Sequence, residues 1–130
     1  MGTRCLTFVY NDNKQLILNL YRQYDGYPEG HGKELGEFLN GLEITNGISK
    51  ETKEKRTANG MGCLAAQLVA HFKNSVGGFY IHSTESKDCG QEYEYHVYDN
   101  SITVIKNCDD KIIYQGNWKN FSKTDFSSVH

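Results

Sequence analysis

One proline in 130 residues leaves no scope for a polyproline segment or a proline-rich linker. Long apolar runs are also missing. No stretch approaches the roughly 20 apolar residues that cross a bilayer as a helix. The four cysteines, Cys5, Cys63, Cys89 and Cys108, contain no C-x-x-C pair. That spacing argues against a zinc ribbon or a disulfide frame and suits reduced thiols in a cytoplasm. Basic excess is absent too: 14 Lys and Arg stand against 16 Asp and Glu, a net charge of −2. A duplex nucleic-acid binder needs a concentrated basic surface, so that partner class is excluded. No secretory leader is expected, because the chain goes straight into an alternating pattern. Myristoylation is rejected, since its pattern wants Ser or Thr where Leu6 stands. The expectation is one cytoplasmic domain over residues 1–130, without a membrane partner.

Tyrosine and glycine are plentiful, at 9 and 13 residues. Their placement, with the apolar pattern, gives the fold. Residues 4–10 alternate, with Arg4, Leu6, Phe8 and Tyr10 on one face and Cys5, Thr7 and Val9 on the other. Asn11-Asp12-Asn13 is turn chemistry, and residues 15–23 alternate again, so the two runs predict a hairpin. Leu35, Phe38, Leu39 and Leu42 fall at helical spacing, after a Pro28-Glu29 pair suited to a first helical turn. Residues 43–60 read as a long loop. Met61, Leu64, Leu68 and Phe72 predict a second helix over 61–75, stopped by Gly77-Gly78. Strands are predicted at 78–83, 92–98, 101–106 and 111–116, the last three as a meander. Trp118, Phe121 and Phe126 would pin a polar tail to the core. The order ββααββββ predicts an α+β fold: a mostly antiparallel sheet with two helices packed on one face.

The densest chemistry lies at the junction Gln23-Tyr24-Asp25-Gly26-Tyr27-Pro28-Glu29-Gly30-His31-Gly32. Glycines let amides turn toward a ligand, and a helix N-terminus adds partial positive charge, which suits a phosphate or carboxylate. Tyr24 and Tyr27 offer stacking faces, and His31 a donor or proton shuttle. The hairpin brings Arg4 and Arg22 close to each other and to this junction. Two neighbouring cations want an acid or an anion between them; Asp25 and Glu29 are the internal candidates and a ligand phosphate the functional one. The candidate ligand-binding set is Arg4, Arg22, Gln23, Tyr24, Asp25, Tyr27, Gly30, His31 and Gly32. The bland alternative is a tight turn in which Gly26 and Gly30 adopt positive φ and the tyrosines pack on the sheet edge.

Other motifs are weaker. Gly60-Met61-Gly62-Cys63-Leu64-Ala65 fits G-x-G-x-x-A, but polar residues precede it where a dinucleotide fold needs a buried strand. Cys63 at a helix start has the electrostatics of a nucleophile, against the plainer reading of a small helix residue. Glu92, Glu94 and His96 share a strand face, as an acid–base site or a solvated face, and His82 lies on a neighbouring predicted strand. The run from Lys50 to Arg56 is a solvated excursion or a basic lip. No metal site and no cofactor are expected.

Met1-Gly2-Thr3-Arg4-x-Leu6-Thr7, followed by Tyr21-x-Gln23-Tyr24-Asp25-Gly26-Tyr27-Pro28-x-Gly30-x-Gly32, resembles a family of small uncharacterised phage and bacterial proteins. The likeness covers about the first third of the chain and implies an accessory protein acting inside a host cell. It implies no catalytic residues. The leading expectation is a small cytoplasmic protein that binds an anionic, nucleotide-like ligand at the glycine-rich turn. The competitors are a hydrolase or transferase using His31 and Asp25, and an interaction or inhibitor module that docks a host protein through tyrosine-rich strands. Self-association is compatible with either.

Overall fold

The computed structural model describes residues 2–47 and 56–126. The predicted hairpin is β1 (Cys5–Tyr10) and β2 (Leu16–Arg22). Its turn is held by Asn11, whose Oδ1 accepts from the amides of Asn13 and Gln15 at 3.0 and 2.9 Å. A π-helical turn over Pro28–Gly32 runs into α1 (Lys33–Leu39). Then follow β3 (Glu43–Thr45), β4 (Thr57–Asn59), α2 (Gly60–Phe72), β5 (Phe79–His82), β6 (Tyr93–Tyr98), β7 (Ser101–Lys106), β8 (Lys111–Asn117) and α3 (Trp118–Ser122).

Six strands form the main sheet in the order β5-β2-β1-β6-β7-β8. Every neighbouring pair is antiparallel except β1–β6. That parallel pair follows from the connection after β5: β5 lies beside β2 and runs parallel to β1, and residues 83–91 carry the chain across β2 and β1 to β6. The expected α+β fold with a mostly antiparallel sheet is therefore present. Residues 43–60 differ from the loop reading. Glu43–Thr45 and Thr57–Asn59 pair in parallel as a separate two-stranded sheet. Three-residue strands give too short an alternation to register as a pattern. Most of the Lys50–Arg56 run lies outside the described residues. Arg56 itself donates from Nη1 to the Asn40 carbonyl and from Nη2 to the Phe38 carbonyl, capping the C-terminal end of α1.

The helix face of the sheet carries Cys5, Thr7 and Val9, with Leu18, Leu20, Tyr95, Val97, Ile102 and Val104 beside them. Leu35, Phe38, Leu39 and Leu42 of the α1 region, and Met61, Leu64, Leu68 and Phe72 of α2, are buried in the same core. Each such side chain contributes about 1.5–3 kcal/mol by leaving water. Trp118, Phe121 and Phe126 are buried as well, so the tail is pinned as expected. Its helix α3 lies against α1 at Gly36, where a Cβ would sit 3.2 Å from the Ser122 Cα. The opposite face is open at its ends and covered in its middle by residues 83–91. Asn19 holds that cover down, donating through Nδ2 to the carbonyls of Ser83 and Ser86 at 3.0 and 2.8 Å.

Candidate functional site

The junction is a clasp between the start of β1 and the helices. The Gly26 amide donates to the Thr3 carbonyl at 2.9 Å, and the His31 amide to the Asp25 carbonyl at 2.8 Å. Its glycines serve close approach rather than positive φ. A Cβ on Gly26 would lie 2.8 Å from the Cys5 backbone nitrogen, and one on Gly30 2.5 Å from the Asp25 carbonyl oxygen. The left-handed residue is Asp25 itself, at φ 63. These backbone groups face one another.

His31 is fully buried. Its Nδ1 lies 3.1 Å from Arg22 Nη1, and its Nε2 lies 2.7 Å from Thr7 Oγ1. A guanidinium only donates, so Nδ1 accepts and the proton sits on Nε2. Burial, with the Arg22 charge adding to it, lowers the pKa to about 3. His31 is thus a neutral core residue, wedged against Phe72 and Tyr95 at centroid distances of 4.9 and 4.8 Å. Asp25 is exposed, and its carboxylate accepts from the Tyr27 hydroxyl at 3.4 Å. The His31 and Asp25 side chains thus serve separate partners, and the acid–base pair expected of them is not assembled. Gly32 is buried against Tyr95.

The two arginines do not converge. In the hairpin register Cys5 stands opposite Arg22. Arg22 therefore shares the helix face with Cys5, while Arg4, one residue earlier, projects to the other face. Arg22 is occupied: Nη1 and Nη2 grip Glu34 at 3.0 and 3.3 Å, and Nε donates to the Tyr24 carbonyl at 2.6 Å. Its side chain is only 11% exposed and lies over the Phe79 ring at 4.9 Å. Glu34, rather than Asp25 or Glu29, is its acid.

Arg4 keeps more freedom. Its Nη2 meets Glu92 Oε1 at 3.3 Å, its backbone amide meets Oε2 at 2.5 Å, and the pair's side chains are 41% and 44% exposed. Among the described residues, no acceptor meets its Nε or Nη1. Gly90, at φ 75, packs under the guanidinium, where a Cβ would come 3.1 Å from Nη1. Arg4, Gln23 and Tyr24 line one cleft of about 270 Å³ with Gly2 and Tyr21. Tyr24 is 54% exposed. Tyr21 is tilted against Tyr80 and His82 at 6.1 and 5.0 Å. Three of the nine expected site residues thus come together, and the sequence reading missed Tyr21 and Gly2. The alternation of β2 was the available signal for Tyr21, because it already set that residue on the face away from Leu20.

Two further arrangements lie on the same open face. Glu94 Oε1 and His96 Nε2 are 2.9 Å apart, and His96 Nδ1 is 2.7 Å from the Tyr10 hydroxyl. The hydrogen bond from His96 holds the Glu94 carboxyl below its usual range. His82 Nδ1 lies 3.2 Å from Cys89 Sγ, whose pKa is raised by burial and by Asp88, so the thiol stays protonated. No cluster of three metal-ligating side chains occurs among the described residues. Ahead of α2 stands β4, which among the described residues pairs with β3, outside the main sheet. Comparisons with protein-family models, with curated proteins and with solved structures find no match to this chain.

Proposed function

We propose that the chain is a small binding protein for an anionic, nucleotide-like ligand, held in the cleft of Arg4, Tyr21, Gln23 and Tyr24. The observation that carries this reading is the company Arg4 keeps. A half-exposed guanidinium with spare donors stands beside two tyrosine rings and an amide, in a cleft of about 270 Å³. A phosphate would take the Nε and Nη1 donors, and an aromatic base would stack on Tyr24. The volume is small for a whole nucleotide, so part of the ligand would extend along the open face toward Tyr80 and its neighbour Lys73. The N-terminal likeness to phage proteins adds the setting of an accessory protein in the host cytoplasm.

Titration with a panel of nucleoside monophosphates, followed by tyrosine fluorescence and calorimetry, tests this. Arg4→Ala should weaken binding by about 1.5–3 kcal/mol, the scale of a charged hydrogen bond. Arg4→Lys should restore only part, since lysine lacks the two-pronged donor. Nucleotide binding that ignores both changes would defeat the reading. A second reading, a protein-interaction module, draws on β5, a four-residue edge strand whose Tyr80 and Ile81 are 46% and 66% exposed. A hydrolase built on His31 draws no support from a histidine that is buried and already bonded at both nitrogens.

A further inference from the structure

We propose that a second cleft, at the Tyr98 end of the open face, binds a neutral saccharide. It lies at the opposite end of β1 from Arg4 and does not depend on the nucleotide reading. The cleft holds about 550 Å³, within the range of small-molecule sites. One wall is the β1–β2 turn, with Asp12 and Lys14; the other is the β6–β8 meander, with Tyr98, Ser101, Thr103 and Gln115.

The platform is preorganised. The Tyr98 ring lies parallel to Tyr10, with centroids 4.5 Å apart and planes 12° from each other. Tyr10 is in turn anchored through its hydroxyl to His96, His96 to Glu94, and Glu94 Oε2 to Gln91 at 3.0 Å. Nothing in the Arg4 cleft uses this chain of bonds. Both turns that frame the cleft are also fixed in left-handed backbone at residues other than glycine, Lys14 at φ 60 and Asn100 at φ 61. Such positions persist only where the surroundings over-determine them.

The polar groups select the ligand class. Two carboxylates, Asp12 and Asp99, line the cleft with one ammonium, Lys14, so an anionic ligand is disfavoured. Hydroxyls of Ser101 and Thr103 and the Gln115 amide both donate and accept. A sugar ring matches that inventory: its hydroxyls donate and accept, and its C–H face lies on the electron-rich face of an aromatic ring.

The test is a two-dimensional amide NMR titration of the full chain with glucose, galactose, maltose, lactose and cellobiose. At least one sugar should give saturable shifts centred on Ser101, Thr103 and Gln115, with a dissociation constant of about 1 mM. Tyr98→Phe should keep that binding and Tyr98→Leu should lose it. Gln115→Ala, on the exposed face of an edge strand where folding is not at stake, should weaken it about tenfold. No saturable shift with any of the five sugars would overturn the proposal. So would shifts that survive both Tyr98→Leu and Gln115→Ala, or adenosine monophosphate shifting these same amides in preference to every sugar.

Discussion

Arg4 and Arg22 sit one register step apart on neighbouring strands, yet they end in opposite environments. Arg22 turns to the helix face. There Glu34, His31 and the Tyr24 carbonyl consume its donors, and only 11% of its side chain remains exposed. Arg4 turns to the open face, meets one carboxylate in a half-exposed pair, and among the described residues has no acceptor at Nε or Nη1, beside Tyr21 and Tyr24. The difference is set by side-chain period. Successive residues of a strand point to opposite faces, so an offset of one between opposed positions is enough to separate two side chains completely. The same residue type then stands in two settings: Arg22 closes the core edge, and Arg4 is the group proposed to meet a ligand.

Four changes would break or sharpen that contrast. The largest effect belongs to the helix side. Leu39, the last residue of α1, is fully buried, and Leu39→Ala should cost about 2–5 kcal/mol in denaturant unfolding. A loss well under 1 kcal/mol would mean that α1 does not pack as described. Next comes Arg22→Ala, which strips the partners of Glu34, His31 and the Tyr24 carbonyl. It should cost about 1.5–3 kcal/mol of stability.

The third effect is a pH slope. His31 has a pKa of about 3 when folded, against about 6.5 in the unfolded chain. Between those values the unfolded chain holds a proton that the folded chain excludes. Stability therefore rises with pH across this window and is lost on acidification, with a slope approaching 1.4 kcal/mol per pH unit, or about one proton. His31→Gln should flatten that part of the profile, as followed by urea unfolding from pH 7 to pH 3. An unchanged slope in the variant would remove His31 from the buried network. The smallest effect is on the open side. Arg4→Ala should shift stability by no more than about 1 kcal/mol, because exposed ion pairs contribute little.

Most of the fold was legible because its signals are long. The hairpin, both helix stripes and the four later strands have alternation or 3.6-residue spacing over enough residues to register. The strands at 43–45 and 57–59 were not, since three residues carry no period. The parallel neighbour β6 was also invisible, because it depends on residues 83–91 carrying the chain from β5 across β2 and β1. In the candidate site, the sequence put Arg4, Gln23 and Tyr24 in one set with Arg22 and His31 but did not separate their faces. Arg22, His31 and Gly32 look reactive in composition and are structural in place. Their surroundings come from residues far away in sequence: Phe72 and Tyr95 for His31, Tyr95 for Gly32 and Phe79 for Arg22. Gln23 and Tyr24, adjacent to Arg22, emerge on the Arg4 side. Tyr98 and Gln115 drew no notice, because the cleft they line is assembled from three separate hairpin segments.

We propose that Arg22 serves the fold and Arg4 the ligand. Thermal unfolding of the wild type, Arg4→Ala and Arg22→Ala, each with and without the nucleoside monophosphate that binds best, tests it directly. Arg22→Ala should melt lower than the wild type and still be stabilised by the nucleotide. Arg4→Ala should melt within a few degrees of the wild type, as expected for a change under about 1 kcal/mol, and lose the nucleotide-induced shift. The reverse pattern, or a wild type whose melting no nucleotide raises, would contradict the account.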